Sequence, residues 1–347
     1  MSDYNIQMHE YNGAGYDNLY PKTKSNMVLD GSTNLETKLK YYSNENLLDN
    51  WYFVGGGSQQ GGEQFPINQR EQTSYSGTGY GIDRWYKYYW NSTNPVLLMK
   101  PDCITLKNET GEGVPNSIYI GQKIDNPSKY SNKTITFSVI VSRLINTSAV
   151  LFAFTGNESN PIGLGSLANG LNSVTWTVPE NTTELSFGIG LHSSLGGNGS
   201  IDFDIVAVKL ELGDTQTLAH QDANGNWVLN EIPNYHEQLA RCQRYQYVYN
   251  LGHQGPQFDA FVNGSILKGD LYFPVQMRVT PTVSFVGARM RDNANGNYVD
   301  FVSEPSLFMT PRGIFLFHNM DSSVFDAALT DGHYYSIVST VLFDANL

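Results

Sequence analysis

The 347-residue chain has 40% hydrophobic residues, enough for a buried core, but only 16% charged ones, against roughly 25% in an average soluble protein. Its 21 basic and 33 acidic residues leave a net charge of −12, whose field repels nucleic acid and anionic membranes, and no Lys/Arg cluster offsets it. Apolar runs stay short of the ~18 residues that would suggest a membrane span, so neither nucleic-acid binding nor membrane insertion is expected.

In chain order, residues 1–23 lack a basic flank followed by an apolar run, so no secretory signal is expected. Thr33 and Glu36 have capping-box spacing, with Leu35, Leu39 and Tyr42 on one stripe, which predicts a short helix. From Asn46 to Lys87 the chain is dense in aromatics, Asn, Gln and Gly, without a helical pattern. The run RWYKYYW (84–90) alternates as a strand. Trp85, Lys87 and Tyr89 fall on one side, and Tyr86, Tyr88 and Trp90 on the other.

Period-two alternation dominates the middle of the chain: Ile135 to Val141, Val150 to Phe154, Val174 to Val178 and Leu185 to Leu191. From Ile201 to Leu212 the alternation slips phase, which predicts a β-bulge near Ile205-Val206 before a boundary at Gly213-Asp214. Asn234 is a good N-cap with Glu237 three residues on, and Tyr235, Leu239 and Cys242 follow at helical spacing. Strands return at Phe258–Val262, Leu271–Val275, Thr282–Val286, Ile314–Phe317 and Tyr334–Phe343, with turns at Asn263-Gly264, Asn295-Gly296 and Asp331-Gly332. The closing run is apolar on both faces, as suits a central strand or one buried against a neighbouring chain. The fold class is mainly β, with an N-terminal segment and short helix (1–45), a jelly-roll β-sandwich (46–213), a linker with a helix (214–246) and a C-terminal β-sandwich head (247–347).

Cys103 and Cys242 lie far apart without metal or nucleophile context and read as buried small apolar residues. No nucleophile elbow, zinc helix, phosphate loop or dinucleotide fingerprint occurs. Asp202 and Asp204 share a strand face, but any acidic chain offers such pairs.

Four blocks occur in order: YNGAGYDNLYPKT, NLLDNWYF with INQREQTSYSGTGYGIDRW, FDIVAVKLELG, and YHEQLARCQRYQ followed by FPVQMRVTPTV. Together they resemble tail-fibre or receptor-binding proteins of tailed bacteriophages and prophages, especially those of low-GC Gram-positive hosts. The resemblance implies an N-terminal segment attaching to other tail or baseplate proteins, a carbohydrate-binding-module-like jelly roll, a homotrimer and a place in the virion after synthesis in the host cytoplasm. The partner would be a bacterial cell-wall or surface polysaccharide, bound without catalysis during host adsorption. It also implies a structural Ca²⁺ in the sandwich, with Asn50 and Asp204 at comparable positions. Trp51, Arg70 and Asp83 stand in the shared phrase and read as structural, with an Arg70–Asp83 pair pinning the loop to the sheet.

Saccharides stack their C–H faces on flat rings while their hydroxyls seek amides, which makes Tyr86, Tyr88 and Trp90 the first binding candidates. In the head, loop residues His253, Gln254, Asn295 and Asn297 are eligible, and Arg289, Arg291 and Asn293 form a basic spot suited to an anionic wall polymer. A baseplate or tail adaptor whose rings are covered by virion partners, and a glycan hydrolase or its accessory module, remain open alternatives.

Overall fold

Short antiparallel strands make up nearly all of the regular structure, as the period-two pattern requires. The computed structural model describes residues 8–11, 16–19, 29–30, 33–34, 43–55, 65–145, 148–156, 160–249, 259–263, 266–286, 289–301, 307–319, 325, 327–337 and 340–346. The chain divides into two units, Met1–Asn44 with Thr217–Glu231, and Glu45–Gln216 with Ile232–Leu347.

In the first unit β1 (Met8–Tyr11) pairs with β2 (Tyr16–Leu19), and β3 (Leu29–Asp30) with β4 (Thr33–Asn34). Thr33, the expected helix cap, thus sits in a two-residue ladder. Leu35, Leu39 and Tyr42 lie outside the described residues.

The second unit opens with the sandwich. Its strands are β5 (Ser74–Tyr75), β6 (Gly79–Ile82), β7 (Trp85–Trp90), β8 (Val96–Met99), β9 (Ile104–Lys107), β10 (Ser117–Lys123), β11 (Thr134–Ile145), β12 (Val150–Phe154), β13 (Ile162–Ser166), β14 (Gly170–Thr177), β15 (Ser186–Leu191) and β16 (Asp202–Leu212). One six-stranded sheet runs β13-β12-β15-β10-β7-β6 and the other β14-β11-β16-β9-β8-β5, the expected jelly-roll-type arrangement. Their inner faces meet through rings such as Phe137 and Phe187, with centroids 5.1 Å apart. The phase slip in β16 is the expected bulge. Ala207 pairs with Ile140 and Ile205 with Val141, which leaves Val206 as the extra residue. Phe203, Ile205, Val208 and Leu210 all stay buried as a result.

In the first unit β17 (Ala219–Gln221) then pairs with β18 (Trp227–Leu229). Helix α1 (Tyr235–Gln243) starts as anticipated, the Asn234 side chain accepting the Glu237 N–H at 3.1 Å. The head comprises β19 (Gln246–Tyr249), β20 (Asp259–Asn263), β21 (Ile266–Tyr272), β22 (Thr282–Val286), β23 (Arg289–Asp292), β24 (Tyr298–Asp300), β25 (Leu307–Thr310), β26 (Gly313–Asn319), β27 (Tyr334–Ile337) and β28 (Thr340–Asp344). The closing apolar run is therefore two strands rather than one. β27 is interior to the seven-stranded sheet β24-β23-β27-β20-β21-β26-β25, and β28 is the middle of β19-β28-β22. Tyr335, Ile337, Val341 and Phe343 keep one parity and all enter a single core, so the run closes both sheets.

Sandwich, helix and head meet in a junction that is largely polar and buried. A nine-residue helix is marginal alone, and α1 is held by Cys242 packed on Phe65 and Ile67. Both cysteines are free buried thiols, and burial pushes that of Cys103 up to about 12. The carboxylate of Asp49 accepts Arg84 Nε at 2.9 Å and Arg241 Nε at 2.6 Å. Asn50 accepts the Ile67 N–H on its amide oxygen, and its backbone N–H donates to Gln238 Oε1 at 2.7 Å. Its carbonyl accepts Trp85 Nε1 at 2.8 Å.

The expected Arg70–Asp83 ion pair does not form. Asp83 accepts Gln69 Nε2 at 2.6 Å and Gln246 Nε2 at 3.1 Å, while Arg70 donates to the Tyr80 carbonyl and lies 3.8 Å from Asp344. Residue type alone favoured the charged pair, but the fold brings to the buried acid the amide of Gln69, the neighbour of Arg70, and that of Gln246 from a distant segment.

Two expected outcomes follow from this junction. Asp49→Ala strands the buried Arg84 guanidinium and should lower stability by about 3–5 kcal/mol. Arg241→Ala leaves the Asp49–Arg84 pair intact and should cost clearly less; equal losses in urea unfolding would contradict the assignment. Burial raises Asp83 from the ordinary 3.8 to about 6. Its folded carboxyl therefore holds a proton that the unfolded chain has already lost. That contribution is full below about pH 4 and disappears as pH rises through about 6, worth roughly 3 kcal/mol at most. Relative to Asp83→Asn, the native protein should lose stability across this window, and parallel pH profiles would refute it.

Candidate functional site

β7 alternates as its sequence requires. Trp85 and Lys87 are fully buried on the inner side, and Trp90 on the other side is 51% exposed. Lys87 is tolerated inside because its ammonium donates to the carbonyls of Ser76, Gly77 and Pro95 at 2.8, 2.9 and 3.0 Å. Burial lowers its pKa to about 8. Tyr86 and Tyr88 are half-buried on the outward face, with Trp90 beyond them.

The register shows what surrounds these rings. Across the outward face, Tyr80 pairs with Tyr86, Tyr86 with Gly121, Gly121 with Gly188, and Gly188 with Phe152. One strand row along, Tyr88 pairs with Tyr119 and Tyr119 with Gly190. Glycines therefore floor a trough between two aromatic walls. Tyr80 and Tyr86 meet edge-on at 5.3 Å, and Tyr88 leans on Tyr119 at 5.1 Å. Phe152 and Phe154 form the buried far wall with Tyr119.

The trough holds a cleft of about 160 Å³ walled by Tyr80, Tyr86, Tyr119 and Phe154, with Lys123 and Ser186 as polar lining, while the Gln122 amide turns inward to the Asp49 backbone. Tyr80 also walls a larger cleft of about 600 Å³, where Gln69, Arg70, Gln72 and Tyr75 face Val248, Leu342 and Asp344 of the head. Flat rings beside amides and hydroxyls form a surface that can stack on an amphipathic ring and hydrogen-bond its rim.

The other candidates are placed elsewhere. Arg289 and Arg291 stand on β23 in the head, remote in the sheet order from the aromatic trough. Arg289 pairs with Asp300 at 3.0 Å and lies over the Tyr298 ring at 4.8 Å, Arg291 is exposed, and Asn293 donates to Ser336 Oγ at 2.9 Å. The basic spot is thus partly spent on holding its own hairpin. Asn295 and Asn297 belong to the same turn, the Asn297 N–H donating to Asn295 Oδ1 at 2.8 Å. His253 and Gln254 lie outside the described residues.

Asn50 and Asp204, the residues implied for Ca²⁺, are not brought into one set. Asn50 is bound up in the junction. Asp204 takes Arg143 Nε at 2.7 Å, Thr105 Oγ1 at 2.5 Å and Lys100 Nζ at 3.3 Å. Burial works to raise the Asp204 carboxyl, and these donors outweigh it and hold it below the ordinary range. Among the described residues no cluster of three or more His, Cys, Asp or Glu side chains could hold a metal. Asp202, its neighbour on the same face, is held by Arg143 as well, at 2.5 Å.

Tyr80, Tyr119, Phe154 and Lys123 were not singled out from sequence. Tyr119 sits in an unbroken apolar-looking run, SIYIGQK, and only pairing with a strand thirty residues earlier sets it beside Tyr88.

No protein-family model matches the chain, and no curated protein matches it. Among solved structures it is similar to the C-terminal family 22 carbohydrate-binding module of Clostridium thermocellum Xyn10B, at 12% identity and a TM-score of 0.23, over 41% of this chain and 94% of that one. It is also similar to the N-terminal tandem of family 22 modules from Paenibacillus barcinonensis Xyn10C, at 10% identity and a TM-score of 0.27, over 87% and 98%. These likenesses are too slight to carry an argument about ligands.

The glycine floor is testable. A methyl group on Gly188 would approach the Phe152 ring to 2.3 Å. Gly188→Ala should therefore destabilise by about 1–3 kcal/mol through overpacking, and adding Phe152→Ala should recover part of that loss. Simple additivity in denaturant melts would show that the ring does not lie over the floor.

Proposed function

We propose that the chain is a non-enzymatic saccharide-recognition protein whose binding surface is the outward aromatic face of the β13-β12-β15-β10-β7-β6 sheet. In this reading it is a phage or prophage tail receptor-binding protein that acts as a homotrimer in the virion. It attaches through its N-terminal segment and engages a cell-wall or surface polysaccharide of the host.

The observation that carries the reading is the row Tyr86, Tyr88 and Trp90 on one face of one strand, backed by Tyr80 and Tyr119 and floored by glycine. Laying rings open to water is unfavourable unless something covers them, and a glycine floor keeps the trough low enough for a flat ligand. Ser186 and Lys123 stand at the edge of the cleft, where ring hydroxyls would fall. The ordered sequence blocks support the virion setting. Weak individual sites suffice if three copies act together, because the second and third contacts form at high effective concentration. The absence of chemistry in this reading is supported by Asp202 and Asp204, whose carboxylates are both clamped by Arg143.

Labelled full-length protein should stain host cells and be displaced by their purified wall polysaccharide. Tyr86→Ala and Trp90→Ala should each weaken binding about 5- to 10-fold, the scale of one aromatic contact. Unaltered staining by both variants would contradict the site. Release of reducing ends from the polysaccharide, lost in Asp204→Asn, would contradict the non-enzymatic reading. Sedimentation should give the mass of three 38.7 kDa chains, and a single-chain mass would remove the trimer.

A further inference from the structure

We infer that the saccharide bears anionic groups, carboxylate or phosphate, and that these seat in a cation-lined groove beside the aromatic cleft. The inference rests on the saccharide reading above and narrows its ligand class.

The groove is assembled where the sandwich meets α1. It comprises cavities of about 250 and 380 Å³ that share Lys123, Asp125 and Arg244 as walls. Lys123 also lines the aromatic cleft, so a ligand stacked on Tyr86 has its next unit beside this lysine. Together the two cavities are walled by six cations against four carboxylates, in a chain where acids outnumber bases 33 to 21.

The carboxylates are also partly engaged. Asp49 is shared by Arg84 and Arg241, and Asp125 accepts the Tyr245 hydroxyl at 2.6 Å. Lys129 and Arg244 are exposed and have no ion-pair partner among the described residues.

A second, independent feature points to an oxyanion. Arg84 lines the groove with a side chain only 3% exposed. Its Nε is taken by Asp49, its Nη2 by the Lys123 carbonyl at 3.0 Å, and its plane lies 3.4 Å from the Tyr245 ring centre. Nη1 is buried with no acceptor. A buried guanidinium N–H left without an acceptor is uncommon. It is the kind of donor that an oxyanion, directly or through one water, would satisfy. The net negative charge of the chain does not forbid this, because charges more than about 8 Å away are screened at physiological salt.

The test uses the full chain and four probes: a neutral β-glucan, polygalacturonate, a poly(glycerol phosphate) and a single-stranded RNA. Binding is measured at about 50 and about 300 mM salt. The anionic polysaccharide that binds should do so at least about tenfold tighter than the neutral one at low salt, and the preference should shrink at high salt. Which of the two anionic probes binds identifies carboxylate or phosphate as the group recognised. The exposed pair Lys129→Ala/Arg244→Ala should remove the preference and leave neutral binding unchanged, whereas Trp90→Ala should weaken both.

Equal affinity for neutral and anionic probes, or a preference that survives the double substitution, overturns the inference and leaves the saccharide reading standing. Anionic binding indifferent to Trp90→Ala, or no saccharide binding at all, overturns both. RNA bound as tightly as the anionic polysaccharide would show a general polyanion site and also overturn the inference.

Discussion

The arrangement depends on a buried acid held by two arginines. Asp49 leaves the first segment of the sandwich and is gripped by Arg84, at the start of the aromatic strand, and by Arg241, on the helix that leads into the head. Charge desolvation makes such a site costly unless every partner is in place. The Gln122 amide holds the Asp49 backbone at both its N–H and its carbonyl, and Gln69 and Gln246 supply the neighbouring buried acid, Asp83. Because Arg84 immediately precedes Trp85, the same contact fixes the phase of the strand. Trp85 is turned inward, where its indole N–H meets the Asn50 carbonyl, and Tyr86 is turned outward.

The junction and the aromatic face are therefore tied together through β7. Docking α1 on the sandwich creates most of the groove, to which the head adds Arg278, and the larger cleft has walls from both sandwich and head. The aromatic trough itself is a property of the sheet alone. It needs rings on β6, β7 and β10 and a low floor on the strand beside them, and Gly188 and Gly190 of β15 meet that need. Polar lining then comes at little cost from residues that strand pairing already places at the trough's edge.

Much of this is legible in the sequence. The mainly β class, the bulge at Val206, the cap at Asn234, the buried face of α1 and the inward Trp85 with outward Tyr86, Tyr88 and Trp90 all follow from local periodicity, which depends on neighbours in sequence. What escaped depends on pairing across long separations. Tyr119 meets Tyr88 only through register, Lys123 and Arg244 share a groove although 121 positions separate them, and Asp83 finds amides rather than Arg70. The closing run reads as one strand because it is apolar on both faces and Tyr335, Ile337, Val341 and Phe343 keep one parity, yet the backbone passes from one sheet to the other. Periodicity reports which face a residue occupies but not which sheet owns it.

At the root of this account is a claim about surface chemistry: the outward tyrosines and Trp90 exist to be covered by a saccharide. Hydrogen–deuterium exchange of the full chain, with and without a bacterial surface polysaccharide, addresses that most directly. The account predicts slowed exchange in 79–90, 117–126 and 186–191, with the head hairpin around Arg291 unchanged. Protection confined to that hairpin, or none in β7, would contradict it.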